Sequence, residues 1–128
     1  MMEILVVDDN PEYLTFLKEA LTISGYDVHT ALDGSEGCEK LSAMNIDLII
    51  SDIRMPRLDG IKLHAFARSL DAYRRKKFVF ISGYRDMFSG IPGLDPEIDY
   101  FLDKTTPLPT IIGLVNQLVF GTFAGKWV

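Results

Sequence analysis

Ile4-Leu5-Val6-Val7-Asp8-Asp9-Asn10-Pro11 opens the chain with a short apolar run that ends abruptly on two carboxylates and a helix-start signal. Four apolar residues bounded by polar ones suit a strand covered on both faces. Asn10 can accept hydrogen bonds from the first free N–H groups of a helix, and Pro11 suits its first position. Leu14, Leu17 and Leu21 then recur at helical spacing, and Gly25 can end the helix. A strand leading directly into an amphipathic helix, with acids at the junction, is the start of a βαβ unit.

The pattern continues outward from this stretch. Strands are expected at residues 4–7, 26–31, 48–51, 78–82 and 98–102. The first, third and fourth are almost wholly apolar, as central strands of a parallel sheet are, whereas 26–31 is more polar and suits an edge. Helices are expected at 35–44, from Gly60 to about Ala72, and after the start signal Thr106-Pro107, where Leu108, Ile111, Ile112, Val115, Leu118 and Val119 form one apolar face. Residues 84–97 hold Gly90, Pro92, Gly93 and Pro96, so a short or broken helix followed by an irregular turn is expected there. Asp33-Gly34 and Asp59-Gly60 read as turns. Residues 1–120 are expected to form one domain, with 121–128 a short tail or the start of a linker.

Composition narrows the function classes. The 128 residues are 48% hydrophobic, ample for a core, with a formal net charge of −5. That balance argues against a nucleic-acid surface, and the one basic run, Arg74-Arg75-Lys76-Lys77, is expected to cap a helix end or lie on the surface. Cys38 is the single cysteine and is expected to line the core. His29 and His64 have no carboxylate or cysteine partner at metal-ligand spacing and read as structural. No apolar run approaches the ~18 residues needed to span a membrane, and no signal-type segment opens the chain, so a cytoplasmic protein is expected.

Carboxylates at the C-terminal ends of parallel strands line the crevice where open α/β sheets bind ligands. Asp8 and Asp9 follow the first strand, Asp52 the third, Ser82 ends the fourth, and Lys104 lies just past the fifth. Three crowded carboxylates repel one another unless some protonate or a cation neutralises them. A hard, oxygen-only site suits Mg²⁺, which keeps several waters and favours a few carboxylates plus a phosphate. Lysine and serine can meet phosphoryl oxygens. The set therefore points to a phosphoryl group held on or near a carboxylate. A flavin or nucleotide site is disfavoured, because Asp8-Asp9-Asn10-Pro11 stands where a glycine-rich phosphate loop would follow the first strand.

The strings Val6-Val7-Asp8-Asp9-Asn10, Asp52-Ile53-Arg54-Met55-Pro56-Arg57-Leu58-Asp59-Gly60, Phe80-Ile81-Ser82-Gly83 and Tyr100-Phe101-Leu102-Asp103-Lys104, in this order and at ordinary separations, resemble the receiver domain of two-component response regulators. The resemblance runs from Glu3 to about Phe120. It implies a flavodoxin-like, doubly wound α/β fold: a five-stranded parallel sheet in the order 2-1-3-4-5 with about five helices, the fourth being the weak one. It also implies that Asp52 accepts a phosphoryl group from a sensor histidine kinase or histidine phosphotransfer protein, with Mg²⁺ or Mn²⁺ bound. Asp9 would be a direct metal ligand, Asp8 would act mainly through water, and Asp52 and the Arg54 backbone carbonyl would complete the protein ligands. Ser82 and Lys104 would hold phosphoryl oxygens, Gly83 would leave them room, and Phe101 would be the switch aromatic. The domain would be no enzyme in the ordinary sense, though it would assist its own phosphorylation and dephosphorylation. It would act without direct nucleic-acid or membrane binding, as a monomer or weak dimer. The alternatives are a degenerate receiver used only for protein binding and a Mg²⁺-dependent phosphohydrolase on the same fold. The first would have lost part of the acid–lysine set, and the second would want an acid where Arg54 stands.

The chain departs from the family at Thr105, where proline usually follows the lysine, commonly across a cis peptide. A cis bond before a non-proline residue costs about 2.5–4 kcal/mol, so the lysine loop is expected to take another path, with Lys104 still reaching the site on its long stem. The glycine- and proline-rich residues 84–97 are the second departure. With Phe101 and the exposed face of the final helix they are expected to form the partner-binding surface.

Overall fold

The computed structural model describes residues 2–83 and 90–120. Strands β1 (Glu3–Val7), β2 (Asp27–Ala31), β3 (Leu48–Ser51), β4 (Lys77–Ser82) and β5 (Asp99–Asp103) are joined through helices α1 (Pro11–Ile23), α2 (Gly34–Ala43) and α3 (Gly60–Ser69), and α4 (Leu108–Phe120) follows the last strand. The strands form one sheet in the order β2-β1-β3-β4-β5, and each neighbouring pair is parallel. The apolar strands β1, β3 and β4 are the central ones and the more polar β2 is an edge, as their compositions demand.

Alternation along the strands builds two cores, because successive side chains point to opposite faces. Ile4 and Val6 pack with Leu14, Leu17 and Leu21 of α1 and with Ile111 and Val115 of α4. Leu5 and Val7 pack with Leu41 of α2 and with Leu63 and Ala67 of α3. The chain thus leaves β1 along one face and enters β3 from the other. This reversal opens a crevice beyond the carboxyl ends of β1 and β3, the usual ligand position in such sheets.

Element ends follow from their caps. Asn10 Oδ1 accepts from Glu12 N–H at 3.0 Å and Tyr13 N–H at 3.2 Å, opening α1 where the sequence places it. Asp33 and Asp59, read as turn residues, are helix N-caps, accepting from Glu36 N–H at 2.8 Å and Lys62 N–H at 2.9 Å. The third helix stops at Ser69 rather than near Ala72. Leu70 is extended, and Asp71–Tyr73 makes a separate 3-10 turn. That break is held by the Arg68 guanidinium, which donates to the carbonyls of Tyr73 and Lys76 at 2.7 Å each.

The basic run does what its position suggests. Arg74 pairs with Asp71, Arg75 with Asp95 at 2.9 Å, and Lys76 with Asp47 at 3.7 Å. Lys77 Nζ donates to the Leu118 carbonyl at 3.1 Å, capping the last turn of α4. Cys38 lies half-buried against the α2–α3 core. Residues 90–97 form turns, with Gly90 and Gly93 at φ of +86° and +73°, while Ile91 is buried in that same core. The irregular turn expected there is present. The rest of the 84–97 segment, and the tail 121–128, lie outside the described residues. Among the described residues, no helix is long and apolar enough to cross a membrane.

Candidate functional site

The sheet ladder itself places the acids. Asp8 N–H donates to Ala31 C=O at 3.1 Å and Asp52 N–H to Val7 C=O at 2.9 Å, so both carboxylates are fixed at the ends of adjacent central strands. Ligand oxygens of Asp8, Asp9 and Asp52 all lie within 4.8 Å of one another. Asp8 and Asp52 are buried and Asp9 is exposed, giving the cluster one open side. Asp52 Oδ1 accepts from Ile53 N–H at 2.7 Å, and Asp8 Oδ1 from Asn10 N–H at 2.9 Å.

Lys104 completes the group. Its ammonium donates to Asp52 Oδ2 at 3.0 Å and lies 2.7 Å from Asp8 Oδ2. That second contact is a close ion pair, so the buried Asp8 Oδ2 faces the ammonium directly. Thr105 does not keep the lysine away. The Lys104–Thr105 peptide is trans, and Asp103 Oδ1 accepts from both the N–H and the hydroxyl of Thr105, at 2.8 and 2.7 Å. Lys104 N–H meanwhile donates to Ser82 C=O at 3.1 Å, which ties the lysine to the end of β4. Ser82 is fully buried at that strand end.

Burial first, and then the neighbouring Asp8, push the Asp52 carboxyl above the ordinary carboxylate range, with Lys104 and the Ile53 N–H pulling the other way. For Lys104, burial lowers the pKa, but the two carboxylates outweigh it and the result is a raised value. The pocket thus carries more negative charge than one lysine balances. A small, hard cation fits this donor set: three carboxylates offering only oxygen, with an open side at Asp9 for water.

The structure brings Asp8, Asp9, Asp52 and Lys104 together and sets Ser82 at the neighbouring strand end. Arg54 is exposed two residues beyond Asp52. Phe101 is half-buried on β5, its ring stacked on Phe80 at 5.3 Å between centroids.

Both histidines have carboxylate partners that sequence spacing did not reveal. Buried His64 Nε2 lies 2.9 Å from Asp99 Oδ1, which also accepts from Arg68 at 2.6 Å, and burial lowers the imidazole pKa while Asp99 works against that. His29 Nε2 is 2.7 Å from Glu3 Oε1, near Asp27, at the opposite end of the sheet from the site. Tyr13 beside Lys104 was likewise not singled out, since helix periodicity marks it only as one more α1 residue.

A family model described as the response regulator receiver domain matches residues 4–116. The transcriptional regulatory protein PrrA of Mycobacterium leprae is 31% identical over 91% of this chain and 49% of its own length. The response regulator ArlR of Staphylococcus aureus is 26% identical over 93% of this chain and 53% of its own. The chain spans about half the length of these curated relatives. Among solved structures, the response regulator TrrA of Thermotoga maritima, in complex with Mg²⁺-BeF, is 30% identical with a TM-score of 0.82, covering 92% of this chain and 99% of that one. The signal receiver domain of a signal transduction histidine kinase from Syntrophus aciditrophicus is 29% identical, also with a TM-score of 0.82, covering 95% and 92%. Fold, acid cluster and family match converge: the chain belongs to the response regulator receiver domain family.

Proposed function

We propose that this domain is a signalling switch in which Asp52 accepts a phosphoryl group from a phosphohistidine donor, with Mg²⁺ or Mn²⁺ bound beside it. The observation that carries the proposal is a buried acceptor carboxylate placed between an acidic pair and an ammonium, with Lys104 Nζ 3.0 Å from Asp52 and 2.7 Å from Asp8. Asp8, Asp9, Asp52 and the Arg54 backbone carbonyl would hold the cation, which supplies positive charge to the phosphoryl oxygens.

In transfer, the P–N bond of the donor breaks as a carboxylate oxygen of Asp52 forms the new P–O bond. The imidazole, already protonated at its other nitrogen, leaves as a neutral ring with the electron pair of the P–N bond. Lys104 and the Ser82 hydroxyl donate to equatorial phosphoryl oxygens, where charge spreads in a loose transition state. Ile53 N–H holds Asp52 Oδ1 and orients the carboxylate. Hydrolysis by water returns the carboxylate and inorganic phosphate, so the domain assists its own resetting.

A sensor histidine kinase or a histidine phosphotransfer protein is the partner this chemistry requires. The reading also includes a cytoplasmic domain spanning residues 1–120, monomeric or weakly dimeric, without direct nucleic-acid contact. Output would use residues 84–97, Phe101 and the exposed face of α4, with the Phe101 ring moving as Ser82 is drawn to the phosphoryl group. The phosphohydrolase alternative wants a second acid where Arg54 stands.

Beryllofluoride, a phosphoryl mimic, tests the proposal. In saturating Mg²⁺, beryllofluoride at about 100 times its Kd should add about 2.7 kcal/mol to unfolding stability, and Asp52→Ala should gain none of it. Equal gains in both proteins, or none in the wild type, would overturn the proposal.

A further inference from the structure

A lysine stem loses much rotamer freedom when its ammonium is fixed. Lys104 reaches from the end of β5 across to the ends of β1 and β3, and the loop beyond it carries Thr105 in place of a rigid proline. Besides Asp8 and Asp52, a third group meets the ammonium: the ring of Tyr13, with Nζ 4.9 Å from the ring centroid. This is within the range of a cation–π contact, and it is strengthened where water is partly excluded.

The ring's place is set by the site itself. Tyr13 lies in the first turn of α1, and its N–H donates to Asn10 Oδ1 at 3.2 Å. Asn10 N–H donates to Asp8 Oδ1 at 2.9 Å, and Asp8 Oδ2 lies 2.7 Å from Lys104 Nζ. Asp8, Asn10, Tyr13 and Lys104 therefore close a circuit in which one carboxylate positions both the helix turn that presents the ring and the ammonium that meets it.

The ring is half-buried against the first core, and its hydroxyl has no hydrogen-bond partner among the described residues, so it is the ring face and not the hydroxyl that meets the lysine. Burial, and then Asp8, Asp52 and Asp103, push the phenol pKa up to about 12, so the ring stays neutral and adds no charge to the carboxylate pocket.

We infer that Tyr13 is a positioning residue of the phosphoryl site, its ring face holding the Lys104 ammonium over the carboxylates where a phosphoryl oxygen will arrive. The inference rests on the receiver reading for what the lysine does, while the contact itself is independent of that reading.

The test compares wild type, Tyr13→Phe and Tyr13→Leu in the full chain, with Tyr13→Met replacing the leucine variant if that does not fold. In the metal-free protein, ring current should move the Lys104 Cε proton resonance upfield in wild type and Tyr13→Phe but not in Tyr13→Leu, with the signal identified by its loss in Lys104→Arg. In saturating Mg²⁺, Tyr13→Leu should bind beryllofluoride about tenfold more weakly, and Tyr13→Phe should recover most of that loss. Mg²⁺ affinity should stay within about twofold throughout, because the ring touches the lysine rather than the acids' open side. A Lys104 signal unchanged in Tyr13→Leu, or beryllofluoride bound as tightly as by wild type, would overturn the inference. A wild type that takes up no beryllofluoride would instead overturn the receiver reading, and the resonance comparison would still decide whether Tyr13 holds the lysine.

Discussion

Asp8→Asn combined with Asp9→Asn is expected to weaken Mg²⁺ binding by about 100-fold, since removing supporting or ligating groups typically costs 10–100-fold in metal affinity. Two formal charges leave a cluster whose ligand oxygens lie within 4.8 Å of one another, and Asp52 alone then faces Lys104. Isothermal titration of metal-free protein with Mg²⁺ checks this, and a double variant that binds like the wild type contradicts it. The same titration has a predicted pH dependence. The Asp52 carboxyl is raised by burial and by Asp8, so it takes up a proton at a higher pH than an ordinary aspartate. Mg²⁺ affinity should accordingly fall as pH is lowered through that raised range, sooner than an unperturbed carboxylate would allow.

Gly60→Val is expected to destabilise the fold by about 3 kcal/mol, the upper end for forcing atoms into a packed site. A Cβ at Gly60 would lie 2.0 Å from the Asp52 carbonyl oxygen and 3.0 Å from the Ile53 Cα. These are backbone atoms and cannot turn aside as a flexible side chain would. Gly60 N–H also donates to Ile53 C=O at 2.8 Å, so α3 starts in direct contact with the segment that carries Asp52. Denaturant unfolding should therefore show a lowered midpoint, with weakened Mg²⁺ binding in whatever protein still folds. Wild-type stability in this variant would show that the close approach is not needed.

Those two sites illustrate what the sequence makes legible. The strands were readable because three of them are apolar on both faces, and the acids because they interrupt such runs abruptly at Asp8 and Asp52. The N-cap of α1 could be read from Asn10-Pro11 alone. Asp33 and Asp59 were harder, because an aspartate before glycine suits a turn and a helix cap equally well. Which one forms depends on tertiary contacts, here the approach of Gly34 to the Leu58 carbonyl and the pairing of Asp33 with Arg57. The end of α3 was misplaced because Arg68 seeks the carbonyls of Tyr73 and Lys76, a side-chain choice that helical periodicity does not register.

Partnerships between distant residues were the least legible. His64 meets Asp99, and His29 meets Glu3, only because the strand order sets those segments side by side. Tyr13 was overlooked for the same reason: its meeting with Lys104 joins the first helix to the end of the last strand. The peptide before Thr105 is trans, as the cost of a cis bond there leads one to expect, and Lys104 still reaches the carboxylates. Asp103 Oδ1 holds both the N–H and the hydroxyl of Thr105 in a local turn.

If Asp52 is the phosphoryl acceptor, its phosphorylation should need a divalent cation. The most direct measurement is intact-mass and peptide-mapping mass spectrometry after treatment with acetyl phosphate, in Mg²⁺ and in excess chelator. A single phosphoryl adduct is expected on Asp52, formed in Mg²⁺, suppressed by the chelator and absent from Asp52→Ala. An adduct that forms equally well without metal, persists in Asp52→Ala, or maps to another residue would contradict it.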